Sequence, residues 1–133
     1  VIPQSLIVSE VEHQGLTRLH VVSGMHERKM MMAHYAHAFC ILPGGLGTLD
    51  EFFEILTWKK LGLHNKPIYV INIDGYWQGL KTLLDHVTDQ GFSSALTHDL
   101  YHFYETVDEL TSHLKSLDPE KLRYYSSHNI CNS

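Results

Sequence analysis

The fold of this chain is decided by residues 38–51, which read AFCILPGGLGTLDE. An apolar run, residues 38–42, ends in a glycine-rich turn, after which helical periodicity begins at Thr48. A continuous apolar run without alternation is typical of a strand buried on both faces of a parallel sheet. The stretch therefore predicts a strand, a tight turn and a helix in succession.

The same alternation of strand and helix extends along most of the chain. Each crossover between parallel strands must run back over the sheet. The alternation therefore predicts an α/β fold with a Rossmann-like parallel sheet and helices on both faces. Ligands of such sheets bind at the carboxyl ends of the strands. The predicted strands are residues 19–22, 38–42, 67–71 and 100–103, and the predicted helices are residues 27–35, 48–61, 76–89 and 107–117.

Composition and charge exclude several classes of protein. The chain has 133 residues and a formal net charge of −5 with scattered basic residues, so one domain and no nucleic-acid partner are expected. Two cysteines cannot build a disulfide framework, which favours a cytoplasmic location. No apolar stretch reaches the roughly 20 residues that a membrane helix needs, so no membrane association is expected.

The glycine-rich turn, residues 43–48, has two interpretations. Glycines let backbone N–H groups approach an anion closely, and the start of a helix adds unpaired donors and a positive dipole end. Alternatively, the glycines only satisfy the backbone angles of a tight turn. Thr48 and Glu51 also form the T-x-x-E pattern of a capping box, in which Thr48 caps the helix. A capping glutamate and a catalytic glutamate could be the same residue.

A second polar segment, MHERK, follows the strand at residues 19–22. Ser23 is a candidate N-cap, which places Arg28 and Lys29 in or just beyond the first turn of a helix. Cations there oppose the helix dipole by about 0.3–1 kcal/mol each, and an anionic ligand would offset this cost. The alternative is a solvated face in which both cations pair with Glu27 or Asp50.

Residues 25–29 (MHERK) and 43–51 (PGGLGTLDE) together resemble the M-H-x-R-K and P-G-G-x-G-T-x-x-E motifs of the LOG (LONELY GUY) family. Members are cytokinin-activating phosphoribohydrolases, often labelled possible lysine decarboxylases. The similarity implies a LOG-like domain over residues 1–117, without the family's first βα units, and a tail over residues 118–133. Position 24 differs from the family pattern, because this chain has Gly24 where an aspartate is common.

The resemblance implies a reaction and a set of site residues. The reaction is hydrolysis of the N-glycosidic bond of a nucleoside 5'-monophosphate, AMP or N6-modified AMP, by a homodimer or larger homo-oligomer without a cofactor. A non-catalytic nucleotide-binding module and an inactive, truncated subunit are the alternatives. Arg28 and Glu51 are the implied catalytic pair, and the implied substrate-binding residues are Met25, Lys29, Gly44, Gly45, Gly47 and Thr48.

Other reactive side chains do not form a recognisable site. His98 and His102 are four residues apart with Asp99 between them, but no third ligand follows at a zinc spacing, so no metal site is expected. No lysine is framed as a pyridoxal phosphate Schiff base, which argues against lysine decarboxylation. Four side chains of the long central helix are expected to pack in the core, namely Phe52, Phe53, Leu56 and Trp58.

Overall fold

The computed structural model describes residues 1–7 and 15–118. The chain divides into two compact units, Val1–Ala36 and His37–Ser133, and each is described separately. The division into a domain over residues 1–117 and a tail over residues 118–133 stays a prediction, because residues 119–133 lie outside the described part. Among the described residues, no helix has both the length and the apolar character needed to cross a membrane.

The first unit is a short strand–helix arrangement. Strand β1, Ile2–Pro3, pairs in parallel with β2, Val21–Val22, and helix α1 spans Met25–Tyr35. The helix packs against both strands. Of the strand predicted at residues 19–22, only the last two residues belong to β2.

The second unit holds a three-stranded parallel sheet in the order β3–β4–β5. The central strand, β4, is buried at all four positions, as its apolar sequence predicts. Along the chain the elements are β3 (Phe39–Ile41), α2 (Leu46–Lys60), β4 (Ile68–Ile71), α3 (Gln78–Asp89), β5 (His102–Tyr104) and α4 (Val107–Ser116).

Helices cover both faces of this sheet. Side chains alternate along a strand, so Ile68 and Val70 face one side of the sheet while Tyr69 and Ile71 face the other. Tyr69 and Ile71 pack with Leu110 of α4. Right-handed crossovers that advance in one direction place α2 and α3 together on the opposite face. The side chains packed there with Ile68 and Val70 include Phe52, Ile55, Leu56, Leu80 and Leu84. The predicted α/β architecture is confirmed.

Most of the predicted core positions on α2 are confirmed. Phe52 and Leu56 are buried, and Trp58 packs against the same cluster. The prediction is wrong for Phe53, which is 37% exposed. Phe53 follows Phe52 directly, and a step of 100° around the helix turns it away from the sheet.

A buried histidine joins α2 to the loop before β4. The Nδ1 atom of His64 accepts a hydrogen bond from the Lys66 N–H at 3.1 Å, so the proton lies on Nε2, which is 2.9 Å from the Ile55 carbonyl oxygen. Burial is the main cause that lowers the pKa of His64 below its ordinary value of 6.5. The neutral ring is therefore part of the folded structure.

Candidate functional site

The glycine turn between β3 and α2 leaves several backbone donors unused. Gly45 is the N-cap, and no side chain caps the helix. The first bond of the helix runs from the Leu49 N–H to the Gly45 carbonyl oxygen at 3.2 Å. The N–H groups of residues 45–48 precede that bond, and no acceptor for them is found among the described residues. Together with the dipole of a 15-residue helix, they form an electropositive end.

The capping-box interpretation of Thr48 and Glu51 is wrong. Because the Leu49 N–H bonds to Gly45, the helix begins two residues earlier than the sequence pattern predicts, and Thr48 is its third residue. The Thr48 side chain instead packs beside Gly44, where an added Cβ would lie 2.9 Å from the Thr48 Cβ. Glu51 is exposed, and no described residue holds its carboxylate by a hydrogen bond or ion pair.

The glycines of this turn are not explained by backbone geometry. Gly44, Gly45 and Gly47 all lie outside the left-handed region that favours glycine. An added Cβ would meet no atom within 4 Å at Gly45 or at Gly47. Glycine costs a helix about 1 kcal/mol relative to alanine. Only Gly44 is therefore required by packing, and the bare α-carbons of Gly45 and Gly47 are available to a ligand.

Glu51 lies on the same face of α2 as Gly47 and Thr48, two residues whose N–H groups have no acceptor in the described chain. It follows Gly47 by four residues and Thr48 by three, which places the three residues one above the other on the helix surface. Helical side chains lean toward the N-terminus of their helix. The Cα–Cβ bond of Glu51 therefore points along α2 toward the glycine turn.

Helix α1 begins differently from the sequence prediction. Gly24 is the N-cap, because its carbonyl oxygen accepts the first helical bond, from the Arg28 N–H at 3.0 Å. The prediction of Ser23 as N-cap is therefore wrong. The Ser23 hydroxyl and N–H donate to Glu27 Oε2 at 2.6 and 2.8 Å. These bonds, the hydroxyl first, hold the pKa of Glu27 below its ordinary value.

Arg28 carries an unpaired buried donor. The Nε of Arg28 is shielded from solvent, and no acceptor for it is found in the part of the chain that the structure describes. A buried donor without an acceptor costs about 1–3 kcal/mol. Glu27 is engaged by Ser23, so the structure does not place it as the partner of Arg28. Met25 is 46% exposed and Lys29 is half-buried on the same helix.

The predicted site residues fall into two groups, one in each unit. The structure brings each group together within its own unit. In the first unit, the first turn of α1 and the residue after it carry Met25, Arg28 and Lys29. In the second unit, the turn and the first two turns of α2 carry Gly44, Gly45, Gly47, Thr48 and Glu51.

A residue outside the predicted site also contacts the glycine turn. The Tyr76 hydroxyl donates a hydrogen bond to the Gly44 carbonyl oxygen at 2.7 Å. A cavity of about 500 Å³ opens beside this contact, between α2 and α3, with Phe53, Trp77 and Leu83 in its wall. Tyr76 is 32 residues from Gly44 in sequence, and no local pattern predicts such a contact.

No metal site is found among the residues that the structure describes, since no three histidine, cysteine, aspartate or glutamate side chains are suitably grouped. His98 lies in a short 3₁₀ helix, Ala95–Leu100, where its Nδ1 is 3.0 Å from the Tyr101 hydroxyl. His102 lies in β5 beside Tyr69. Cys40 is a free, exposed thiol.

A glycine-rich helix start without a side-chain cap, at the carboxyl end of a parallel strand, is an arrangement found in α/β proteins that bind phosphate groups. Residues 1–114 match the model of the family described as possible lysine decarboxylase. The chain belongs to this family, which includes the LOG proteins.

Named relatives share this similarity. The chain is 39% identical to cytokinin riboside 5'-monophosphate phosphoribohydrolase LOG7 of Arabidopsis thaliana, over 90% of this chain and 55% of the relative. It is 49% identical to cytokinin riboside 5'-monophosphate phosphoribohydrolase of Rhodococcoides fascians, over 73% of this chain and 50% of the relative. It is 42% identical to probable cytokinin riboside 5'-monophosphate phosphoribohydrolase LOG4 of Oryza sativa subsp. japonica, over 86% of this chain and 50% of the relative. The chain thus spans about half the length of these relatives.

Proposed function

We propose that the protein hydrolyses the N-glycosidic bond of a nucleoside 5'-monophosphate, AMP or N6-modified AMP, to give the free base and ribose 5-phosphate. The observation that carries this proposal is the glycine turn, in which Gly45 and Gly47 serve neither backbone geometry nor packing. The names of the relatives, all phosphoribohydrolases of cytokinin nucleotides, support the same reaction.

The 5'-phosphate is the part of the substrate that suits this turn. Its oxygens accept hydrogen bonds, and the N–H groups of residues 45–48 are donors without a partner in the described chain. The first turn of α2 has no acidic side chain to repel a phosphate. The bare α-carbons of Gly45 and Gly47 allow its oxygens to approach the amides.

Glu51 and Arg28 supply the chemistry. Cleavage of the N-glycosidic bond develops positive charge on the sugar, and a carboxylate close to the anomeric carbon stabilises that charge or activates water. Glu51 follows the phosphate-binding donors on the same helix face and is not engaged elsewhere in the described residues. The Arg28 guanidinium, whose Nε has no acceptor, would bind substrate oxygens through its planar set of donors. Met25 and Lys29, on the same helix as Arg28, would also bind the substrate.

Replacement of Glu51 by glutamine tests the proposal. E51Q keeps the shape of the side chain and removes its charge, so we expect release of free base to fall by about 10³-fold or more, with the Kd for AMP within about twofold of wild type. Products are separated by chromatography and binding is measured by calorimetry. D89N, which neutralises an exposed carboxylate at the end of α3, is the charge-matched control and should leave both quantities unchanged.

The other outcomes are also informative. Full activity of E51Q, or an equal loss of turnover and binding, contradicts the role of Glu51. If the wild-type protein binds AMP and its N6-isopentenyl analogue but releases no base from either, it is the non-catalytic nucleotide-binding module instead.

A homodimer or larger homo-oligomer in the cytoplasm belongs to the same proposal. Large apolar side chains stand exposed on the second unit, with Leu46 86%, Phe92 85% and Leu96 71% accessible. Where such side chains form a contiguous patch, that patch favours association. The sequence holds two cysteines, of which Cys40 is a free thiol, as is usual in a reducing compartment. Light scattering of the purified protein measures the size of the assembly.

A further inference from the structure

The hydrogen bond between Tyr76 and Gly44 has no part in the proposed hydrolysis. Tyr76 lies in the loop between β4 and α3, and its side chain is 55% exposed. A side chain so exposed contributes little to the core, yet its hydroxyl is held 2.7 Å from the carbonyl oxygen of the glycine turn. Its ring contacts only the edge of its neighbour Trp77 among the aromatic contacts of the described residues, with 4.8 Å between centroids.

The bond to the carbonyl also fixes a donor. The Gly44 carbonyl and the Gly45 N–H belong to one trans peptide group, so they point in opposite directions. Holding the oxygen toward Tyr76 therefore turns the Gly45 N–H away from Tyr76. Glycines flank this peptide on both sides, and without β-carbons its rotation meets little steric resistance. A rotated peptide would present its carbonyl oxygen, instead of its N–H, to a bound phosphate.

Hydrogen bonds of the buried Asn72 hold the loop that carries Tyr76. The buried Asn72 accepts a hydrogen bond from the Trp77 N–H at 2.7 Å, and its amide donates to the Glu105 carboxylate at 3.0 Å. Asp74 and Gly75 both adopt positive φ angles, 51° and 72°, which turn the chain tightly back toward α3. The loop that brings the Tyr76 hydroxyl to the glycine turn is thus held by its own hydrogen bonds and backbone conformation.

We propose that Tyr76 is a positioning residue for phosphate binding: its hydroxyl holds the Gly44–Gly45 peptide so that the Gly45 N–H remains available to the 5'-phosphate. The inference rests on the proposed function for the identity of the ligand. It does not require that the bound nucleotide be hydrolysed, and Tyr76 itself need not touch the substrate.

Replacement of Tyr76 by phenylalanine removes the hydroxyl and keeps the ring against Trp77. One neutral hydrogen bond corresponds to a change of about 3- to 10-fold, so the Kd for AMP, the Kd for inorganic phosphate and the KM should each rise by that factor. The kcat should stay within about twofold and the Tm within about 2 °C of wild type. S116A is the matched control, because it removes an exposed hydroxyl that donates to a backbone carbonyl at the same 2.7 Å, on α4.

The outcomes separate this inference from the proposed function. Unchanged Kd and KM in Y76F, or the same loss in S116A, overturn the role of Tyr76. A parallel fall of Tm, kcat and affinity also overturns it, because a purely structural role would have that effect. If wild type binds AMP without releasing base, the proposed hydrolysis fails, whereas weaker AMP binding by Y76F still supports the positioning role.

Discussion

Replacement of Gly47 by alanine should stabilise the fold and weaken the binding of AMP. Gly47 is the second residue of α2, its backbone is helical, and an added Cβ would meet no atom within 4 Å. Alanine therefore fits without strain and gains about 1 kcal/mol of helix propensity. For a chain of 133 residues, that corresponds to a rise in Tm of roughly 2–5 °C.

The same methyl group should hinder the ligand. Cβ atoms of a helix tilt toward its N-terminus, so the new methyl at position 47 would project toward the unpaired N–H groups. A phosphate oxygen bonded to those amides must lie about 2.9 Å from their nitrogens, within contact distance of the methyl. Overpacking of this kind costs about 1–3 kcal/mol, and we expect the Kd for AMP to rise by about tenfold or more.

Thermal unfolding and calorimetric AMP binding, measured on the same preparations, test this prediction. Gly79 provides the control, because it is likewise the second residue of a helix, α3, and an added Cβ would again meet no atom within 4 Å. G79A should gain similar stability without losing affinity for AMP. If G47A gains stability and binds AMP as tightly as wild type, the reasoning about the glycine turn is refuted.

Two further predictions concern stability. In G44A the new Cβ lies 2.9 Å from the Thr48 Cβ, so urea unfolding should show a loss of about 1–3 kcal/mol. In G45A the new Cβ meets no atom and only the preference of an N-cap for glycine over alanine is lost, so the loss should be smaller. Burial lowers the pKa of His64 below its ordinary value of 6.5. As the pH falls below 6.5, the unfolded chain therefore binds more protons than the folded chain. The stability that neutral His64 contributes is complete above that pH and is lost as the pH falls. In H64Q the fall in Tm between about pH 7 and 5 should be smaller; an unchanged slope would contradict this role.

The sequence was sufficient for the architecture because strand and helix alternate along the chain and the central strand is buried on both faces. β4 is apolar at every position, and its signal does not depend on any distant residue. The starts of the helices were harder to predict. At α2 the T-x-x-E pattern indicated Thr48 as the cap, but the Leu49 N–H reaches the Gly45 carbonyl and the helix begins earlier. At α1 the cap lies one residue later than predicted, at Gly24 instead of Ser23.

The candidate site was only partly predictable. The motifs indicated Arg28, Glu51 and the glycine turn, but their roles remain predictions. The contact of Tyr76 with Gly44 was not predicted, because the two residues are 32 positions apart and the contact depends on the path of the β4–α3 loop. The unpaired Nε of Arg28 likewise depends on packing that no local pattern encodes. Pattern and spacing reveal which residues follow a strand, whereas the hydrogen bonds between loops require the folded chain.

The central claim is that the phosphate of the nucleotide binds the exposed amides where the glycine turn enters α2. Titration of ¹⁵N-labelled protein with AMP, followed through the backbone amide signals, tests it most directly. The largest shifts are expected at Gly45, Leu46, Gly47 and Thr48, and inorganic phosphate should shift the same signals. Saturable AMP binding that leaves these four amides unmoved would contradict it.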